Sequence, residues 1–353
     1  MARIIRDGQK VYIPGVRKIS WDTGEMCEYA SALVSALGSL GDAVAYPFVM
    51  GACGAAFRFA ITPGAWNPGE YSIRGFTADP MEPVGRSVAA AGYACEVFGK
   101  GDKAEDTARI LRSIDQGRPA LAFGVVGPSD CCVLSGYDEA GEVLLGWSTY
   151  QNIPDDHPYP PDPTGYFRKP GWHDALGGYV LLGEKTGRPP AREFYLGALR
   201  WAVQLARGPR VGSVVTGLAG LSAWAAELAA EENFPAQDEG TMGWRYLCTT
   251  LNITQLRDHV SAAAFLRRAG EEVPELLPEA ELAAACYQDV ERLRERQDAL
   301  FKDDFSPPAL QAFAAPAARQ EFARLILEIR DREEEGIRRI EGLLGRLEGN
   351  SGN

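Results

Sequence analysis

The hydrophobic pattern of the chain changes near residue 186. Before that point apolar runs are short and separated by Gly, Pro and polar turn residues. Pro119–Val126 (PALAFGVV), Cys132–Tyr137 (CVLSGY), Glu142–Trp147 (EVLLGW) and Gly177–Glu184 (GGYVLLGE) have the length and bounding of buried strands. Asp138–Gly141 (DEAG) predicts a hairpin turn in which Gly supplies a positive φ. Two helices are predicted ahead of these strands. Cys27–Gly41 places Tyr29, Leu33, Leu37 and Leu40 at helical spacing and ends on a capping Gly41. Asp102–Gly117 is a plainer amphipathic helix closed by Gly117. Helices followed by a run of antiparallel strands make an α+β domain.

After Gly187 the periodicity is helical almost throughout. Segments such as AREFYLGALRWAVQLAR, VVTGLAGLSAWAAELAAEE and EAELAAACYQDVERLRERQDALF are punctuated by Pro189–Pro190, Pro235, Pro274, Pro278 and Pro307–Pro308. The pattern predicts two domains: an α+β domain over residues 1–186 and an all-α domain of five or six helices over 187–353. Asp155–Gly165 (DDHPYPPDPTG) reads as a stiff Pro-rich loop, and the closing GNSGN as a frayed end.

Length agrees with that division, since 353 residues exceed one ordinary core. The formal net charge of -12 excludes a nucleic-acid binder, which needs a basic face for phosphates, and disfavours docking on anionic lipid. A small molecule or another protein is the expected partner. Seven cysteines, odd in number and irregular in spacing, make no disulfide framework and suit a reducing compartment. The opening MARIIRDGQKVYIPG lacks the apolar core of a signal peptide, and no run of about 18 apolar residues predicts a membrane span. A cytoplasmic protein without cofactor is expected.

The sharpest chemical candidate is Cys27. A cysteine at the first turn of a helix faces backbone N–H groups and the positive end of the helix dipole, which favour a thiolate and an oxyanion. The bland alternative is one more small buried residue. A nucleophilic thiol needs a base, and the chain has three histidines: His157, His173 and His259. His259 falls within a helical segment of the second domain and reads as structural or surface. His157 is in the Pro-rich loop. His173, just before the last strand of the first domain, is the one expected near a site.

CEYASALVSALGSLG, followed at a distance by DCCVLSGYDEAGEVLLGWS, resembles the bacteriocin-processing type of papain-like cysteine peptidase. It resembles more closely the N-terminal domain of the butirosin-biosynthesis acyltransferase group, including the segment Tyr46–Phe59 (YPFVMGACGAAFRF) after the first helix. The resemblance implies a papain-like fold over the first half, with Cys27 as nucleophile and the amides of MCEY as oxyanion donors. It also implies a small-molecule or acyl-carrier-bound substrate. The helpers depart from the family pattern. Asp130 stands where the peptidases carry their histidine, Trp147 or Ser148 where they carry the orienting Asp or Asn, and Trp21 where they carry the oxyanion Gln. A carboxylate beside a thiol raises its pKa, opposite to the effect of His⁺. Two routes to a base stay open: Asp130 itself, or His173 arriving from another strand. A metal held by Cys27, Cys53, Cys131, Cys132 and Asp130 lacks ligand spacing, and adjacent cysteines on a strand face opposite ways, so no metal is expected.

Arg58, between Phe57 and Phe59, predicts either a clamp for a ligand carboxylate or phosphate, or an ordinary ion pair with Asp22 or Glu25. Asp22, Trp66, Cys132, Trp147 and Trp172 are candidates for a pocket lining, whereas Trp201, Trp224 and Trp244 occupy helix-core positions. Three functions compete: a thiol acyltransferase or amide hydrolase, a degenerate papain-like domain that binds a small molecule without covalent chemistry, and an interaction protein led by its helical half. A homodimer through that half stays open.

Overall fold

The computed structural model describes residues 2–128, 130–154, 157–208, 210–235, 238–300 and 306–349. Ser129, Asp155, Asp156 and the last four residues of the GNSGN tail therefore lie outside the described residues. The fold is α+β, with an antiparallel curled sheet in the N-terminal part and a helical C-terminal region. The chain separates into two compact units, Met1–Val49 with Val84–Pro189, and Met50–Pro83 with Pro190–Asn353. The end of the first unit falls close to the change of pattern near 186, but residues 50–83 group with the helices.

In chain order, β1 (Ile5–Asp7) and β2 (Lys10–Tyr12) form a short hairpin and α1 (Glu28–Ser39) follows. Next come α2 (Tyr46–Ala52), β3 (Ala60–Ile61), α3 (Glu82–Ala90), β4 (Tyr93–Phe98) and α4 (Lys103–Asp115). The first unit closes with β5 (Ala120–Phe123), β6 (Cys131–Asp138), β7 (Val143–Trp147), β8 (Phe167–Pro170), α5 (Trp172–Ala175) and β9 (Gly178–Lys185). Its sheet runs β1-β2-β6-β5-β9-β4, and β7 joins β6 to β8. The four predicted strands correspond to β5, β6, β7 and β9. The predicted turn is a short helical turn over Glu139–Gly141, where Glu139, Ala140 and Gly141 all take positive φ.

Side-chain alternation across β5, β6 and β9 fixes which helix covers which face. Phe123 pairs with Cys131, and its ring lies 6.4 Å from Tyr29 of α1. Ala122 pairs with Cys132 on one side and Tyr179 on the other, and the Tyr179 hydroxyl donates to Asp106 of α4 at 2.9 Å. Consecutive strand residues point to opposite faces, so α1 and α4 cover opposite faces of the sheet. Asp102 caps α4 by accepting from Ala104 and Glu105 N–H, and Gly117 closes it at φ 70°.

The second unit contains β3, β10 (Val215–Thr216), α6 (Ala191–Arg207), α7 (Gly217–Ala229), α8 (Glu239–Asp258) and α9 (Val260–Glu272). It is completed by α10 (Leu277–Asp298), α11 (Pro307–Ala314) and the long α12 (Pro316–Gly349). The described residues after 187 thus form seven helices rather than the expected five or six. The long segment around residues 244–273 breaks at Asp258–His259 into α8 and α9, and PPALQAFA is a helix of its own. Phe57, Phe265 and Tyr287 pack edge to face, and Phe59 stacks on Trp224 at 5.4 Å. Among the described residues no helix is long and apolar enough to cross a membrane.

Candidate functional site

Cys27 is the N-cap of α1. Its backbone is extended (φ -83°, ψ 104°), its carbonyl accepts from Ser31 N–H at 3.1 Å, and its side chain is buried. A turn over Trp21–Thr23, closed by Gly24 at φ 77°, leads the chain to this position. The amide of Cys27, an expected oxyanion donor, is already engaged: it donates to the Tyr46 hydroxyl at 2.9 Å. Trp21, at the oxyanion-Gln position, donates its indole N–H to Glu28 Oε1 at 3.0 Å and meets Tyr150 edge to face. Glu28 is buried and directly follows the thiol-bearing residue, so a carboxylate occupies the first turn where a thiolate would be stabilised. Asp22 accepts from the Ser20 hydroxyl and is an exposed turn residue.

Asp130 is buried at the entrance to β6, its carbonyl accepting from Gly124 N–H. Among the described residues the imidazoles of His173 and His259 are engaged away from Cys27. His173 Nε2 lies 3.0 Å from Asp106 Oδ2, which places it on the face of the sheet opposite α1. His157 is buried against Phe167 and Tyr159, and among the described residues neither ring nitrogen has a hydrogen-bond partner. Trp147 donates to Val16 O, and the Ser148 hydroxyl is held by Val126 O and Tyr150 N–H, so both serve the backbone. Cys132 is fully buried, and burial pushes its thiol up to about 12. It is a core residue with no part in a cleft. Trp172, equally buried, donates to Gly141 O.

Asp106 organises a second polar cluster. It is buried and accepts from Gly101 N–H, the Tyr179 hydroxyl, Arg109 and His173. Burial alone would raise its pKa, but these donors hold it below the usual carboxylate range. The same burial, with Asp106 as neighbour, pushes the Tyr179 phenol to about 12. Sequence reasoning singled out His173 and missed Asp106. The available signal was an acid one turn inside a predicted helix whose cap was already supplied by Asp102.

In the second unit Arg58 pairs with Asp258 at 3.1 Å, not with Asp22 or Glu25; Glu25 pairs with Arg17 instead. The Arg58 guanidinium also donates to Gln255 Oε1 at 2.8 Å and Tyr71 O at 2.5 Å. Gln255 bonds both backbone groups of Ala60, as a neighbouring strand would. His259 bridges Arg58 O (2.6 Å) and Glu333 (2.5 Å) and is buried, so it is structural rather than on the surface. Burial pushes Asp258 to about 6 despite Arg58. Burial also opposes a charged His259, but Glu333, the Arg58 carbonyl and Asp258 together hold its pKa above the ordinary value. Arg58 is thus a buried strut with every described partner inside its own unit. Trp66 is buried between Arg245, 4.3 Å from its ring, and Phe234, with φ 47°. Trp244 is 46% exposed, unlike the buried Trp201 and Trp224, and its indole donates to Trp66 O.

Among the described residues no group of His, Cys, Asp and Glu is placed to hold a metal ion. No protein-family model matches the chain, and no curated protein matches it.

Proposed function

We propose that the first unit is a papain-like scaffold that has lost thiol acyl transfer and acts as a non-catalytic binding module. The observation that carries this reading is the position of His173, hydrogen-bonded to Asp106 on the sheet face opposite α1. With His173 held by Asp106, the one imidazole expected near the thiol is engaged elsewhere, which weighs against a Cys–His mechanism. The groups at the helpers' positions support the same reading. Trp21 is tied to Glu28, and the Cys27 amide to Tyr46, so two of the expected oxyanion donors are already engaged. The competing reading, a thiol acyltransferase with Cys27 as nucleophile, keeps one observation in its favour: the residue caps a twelve-residue helix.

The test is alkylation of Cys27 across pH, read by mass spectrometry of the intact chain and its peptides. It is paired with incubation with an activated acyl thioester. A non-catalytic module gives slow alkylation that rises only above the free-cysteine value of about 8.5, and no acyl adduct. A thiolate titrating well below that value, with an acyl-enzyme absent from Cys27→Ala, refutes the reading.

A further inference from the structure

On the α4 face of the sheet, α4 packs over β6, β5, β9 and β2 and leaves the β4–β9 ladder partly uncovered. The space beside it is a groove of about 460 Å³, within the range of small-molecule sites. Its floor is the paired strand residues Glu96 and Leu181, with Phe98 one step along. Its wall is cationic: Arg109 and Arg112, one turn apart on α4, and Arg118 just beyond the helix. Three guanidinium groups around one groove stand out in a chain of net charge -12.

Their existing partners leave them available. Arg112 makes no side-chain hydrogen bond or ion pair among the described residues. Arg118 pairs with Glu184, whose side chain is 83% exposed, and Arg109 with Glu105, 66% exposed. Arg118 is itself only 15% exposed, but both carboxylates are solvated, and a solvated partner exchanges readily for a better acceptor. Arg109 is also pre-oriented, 3.5 Å from Asp106 and 4.9 Å from the Phe98 ring centroid. Guanidinium forks match the oxygens of phosphate and carboxylate, and three of them favour the more highly charged group.

We propose that this groove binds a small phosphate monoester with an apolar body. The phosphate lies among Arg109, Arg112 and Arg118, and the body lies over Leu181 and Phe98. The site is separate from Cys27, on the other face of the sheet, and stands whether or not that thiol reacts.

The test is calorimetric titration of the full chain with phenyl phosphate at 150 mM salt, with inorganic phosphate and benzoate as comparisons. We expect saturable one-to-one binding with Kd below about 1 mM, weaker for both comparison anions. Arg112→Gln, an exposed substitution that leaves the fold intact, is expected to weaken it at least tenfold. Arg112→Lys is expected to retain part of the affinity. Circular dichroism checks that each variant is folded. Non-saturable binding, or affinity unchanged from the unsubstituted chain in both Arg112→Gln and Arg109→Gln, overturns the proposal. So does an Arg112→Gln variant that only loses thermal stability, as expected of a cation serving the α4 C-terminus alone.

Discussion

Replacing Arg58 by Ala is expected to cost the helical unit roughly 3–5 kcal/mol, the range for removing one partner of a buried ion pair. The side chains of Arg58 and Asp258 are 3% and 1% exposed. Among the described residues Asp258 Oδ1 already lacks a hydrogen-bond partner, so the variant leaves a buried carboxylate without its guanidinium. The pH dependence separates this mechanism from simple loss of packing. Asp258 titrates at about 6 in the folded chain against 3.8 ordinarily, a difference of roughly 3 kcal/mol between its two protonation states. A raised folded pKa means a stability contribution fully present below the ordinary value and lost as pH rises through about 6. Removing Arg58 lifts that folded value further. The cost of Arg58→Ala is therefore smaller at pH 5, where Asp258 is protonated and only packing and the bonds to Gln255 and Tyr71 O are lost, than at pH 8. Urea denaturation followed by tryptophan fluorescence at both values measures it. Arg58→Met combined with Asp258→Asn is expected to recover most of the loss. A cost below about 1 kcal/mol at pH 8, or one equal at pH 5 and pH 8, refutes the reasoning.

His259 has a raised pKa, so the stability it contributes is present below about 6.5 and disappears as pH rises through its folded value. Glu333→Gln is expected to flatten that slope in the same denaturation series. Asp106→Ala removes the acceptor for Gly101 N–H and the Tyr179 hydroxyl, and is expected to cost about 2–4 kcal/mol in the first unit. Because the Asp106 pKa is lowered, its contribution is present above the ordinary carboxylate value and lost as pH falls through the lowered one. Asp106→Asn should remove that part of the acid transition. Native-state maleimide labelling is expected to reach Cys95, the one cysteine that is not buried, before any other. Cys53 and Cys132, both pushed to about 12 by burial, should react only after unfolding, and early labelling of either contradicts the core assignment.

Much of the first unit was legible because β5, β6, β7 and β9 are buried strands, and buried strands announce themselves as apolar runs between turns. β4 did not, since Ala94, Glu96 and Val97 are exposed at the edge of the sheet. The three-residue β1 and β2 are too short to carry a period. The break between α8 and α9 has neither Gly nor Pro, so helical periodicity runs through it unmarked. Residues 50–83 share the Gly and aromatic richness of the first half, and composition does not encode which core an aromatic enters. Cys27 as the start of α1 was readable from local spacing. The partner of His173 was not, because Asp106 is 67 residues away in sequence and meets it only through the sheet.

The grouping of residues 50–83 with the helices has a consequence for biosynthesis. As the chain leaves the ribosome, the segment bearing Arg58 and β3 emerges long before Asp258, Gln255 and β10, its partners roughly 150 to 200 residues downstream. At 5–20 residues per second, everything after Pro189 takes roughly 10–30 s to appear. During that interval the first unit has all its strands, while Phe57, Phe59 and Trp66 have no core to enter. A gene fragment beginning at Pro190 would make helices lacking the ring stacked on Trp224, the strand paired with β10 and the arginine opposite Asp258. The helical half is therefore not a transferable appendage. It is completed by residues 50–83, which lie far ahead of it in the chain and are made first.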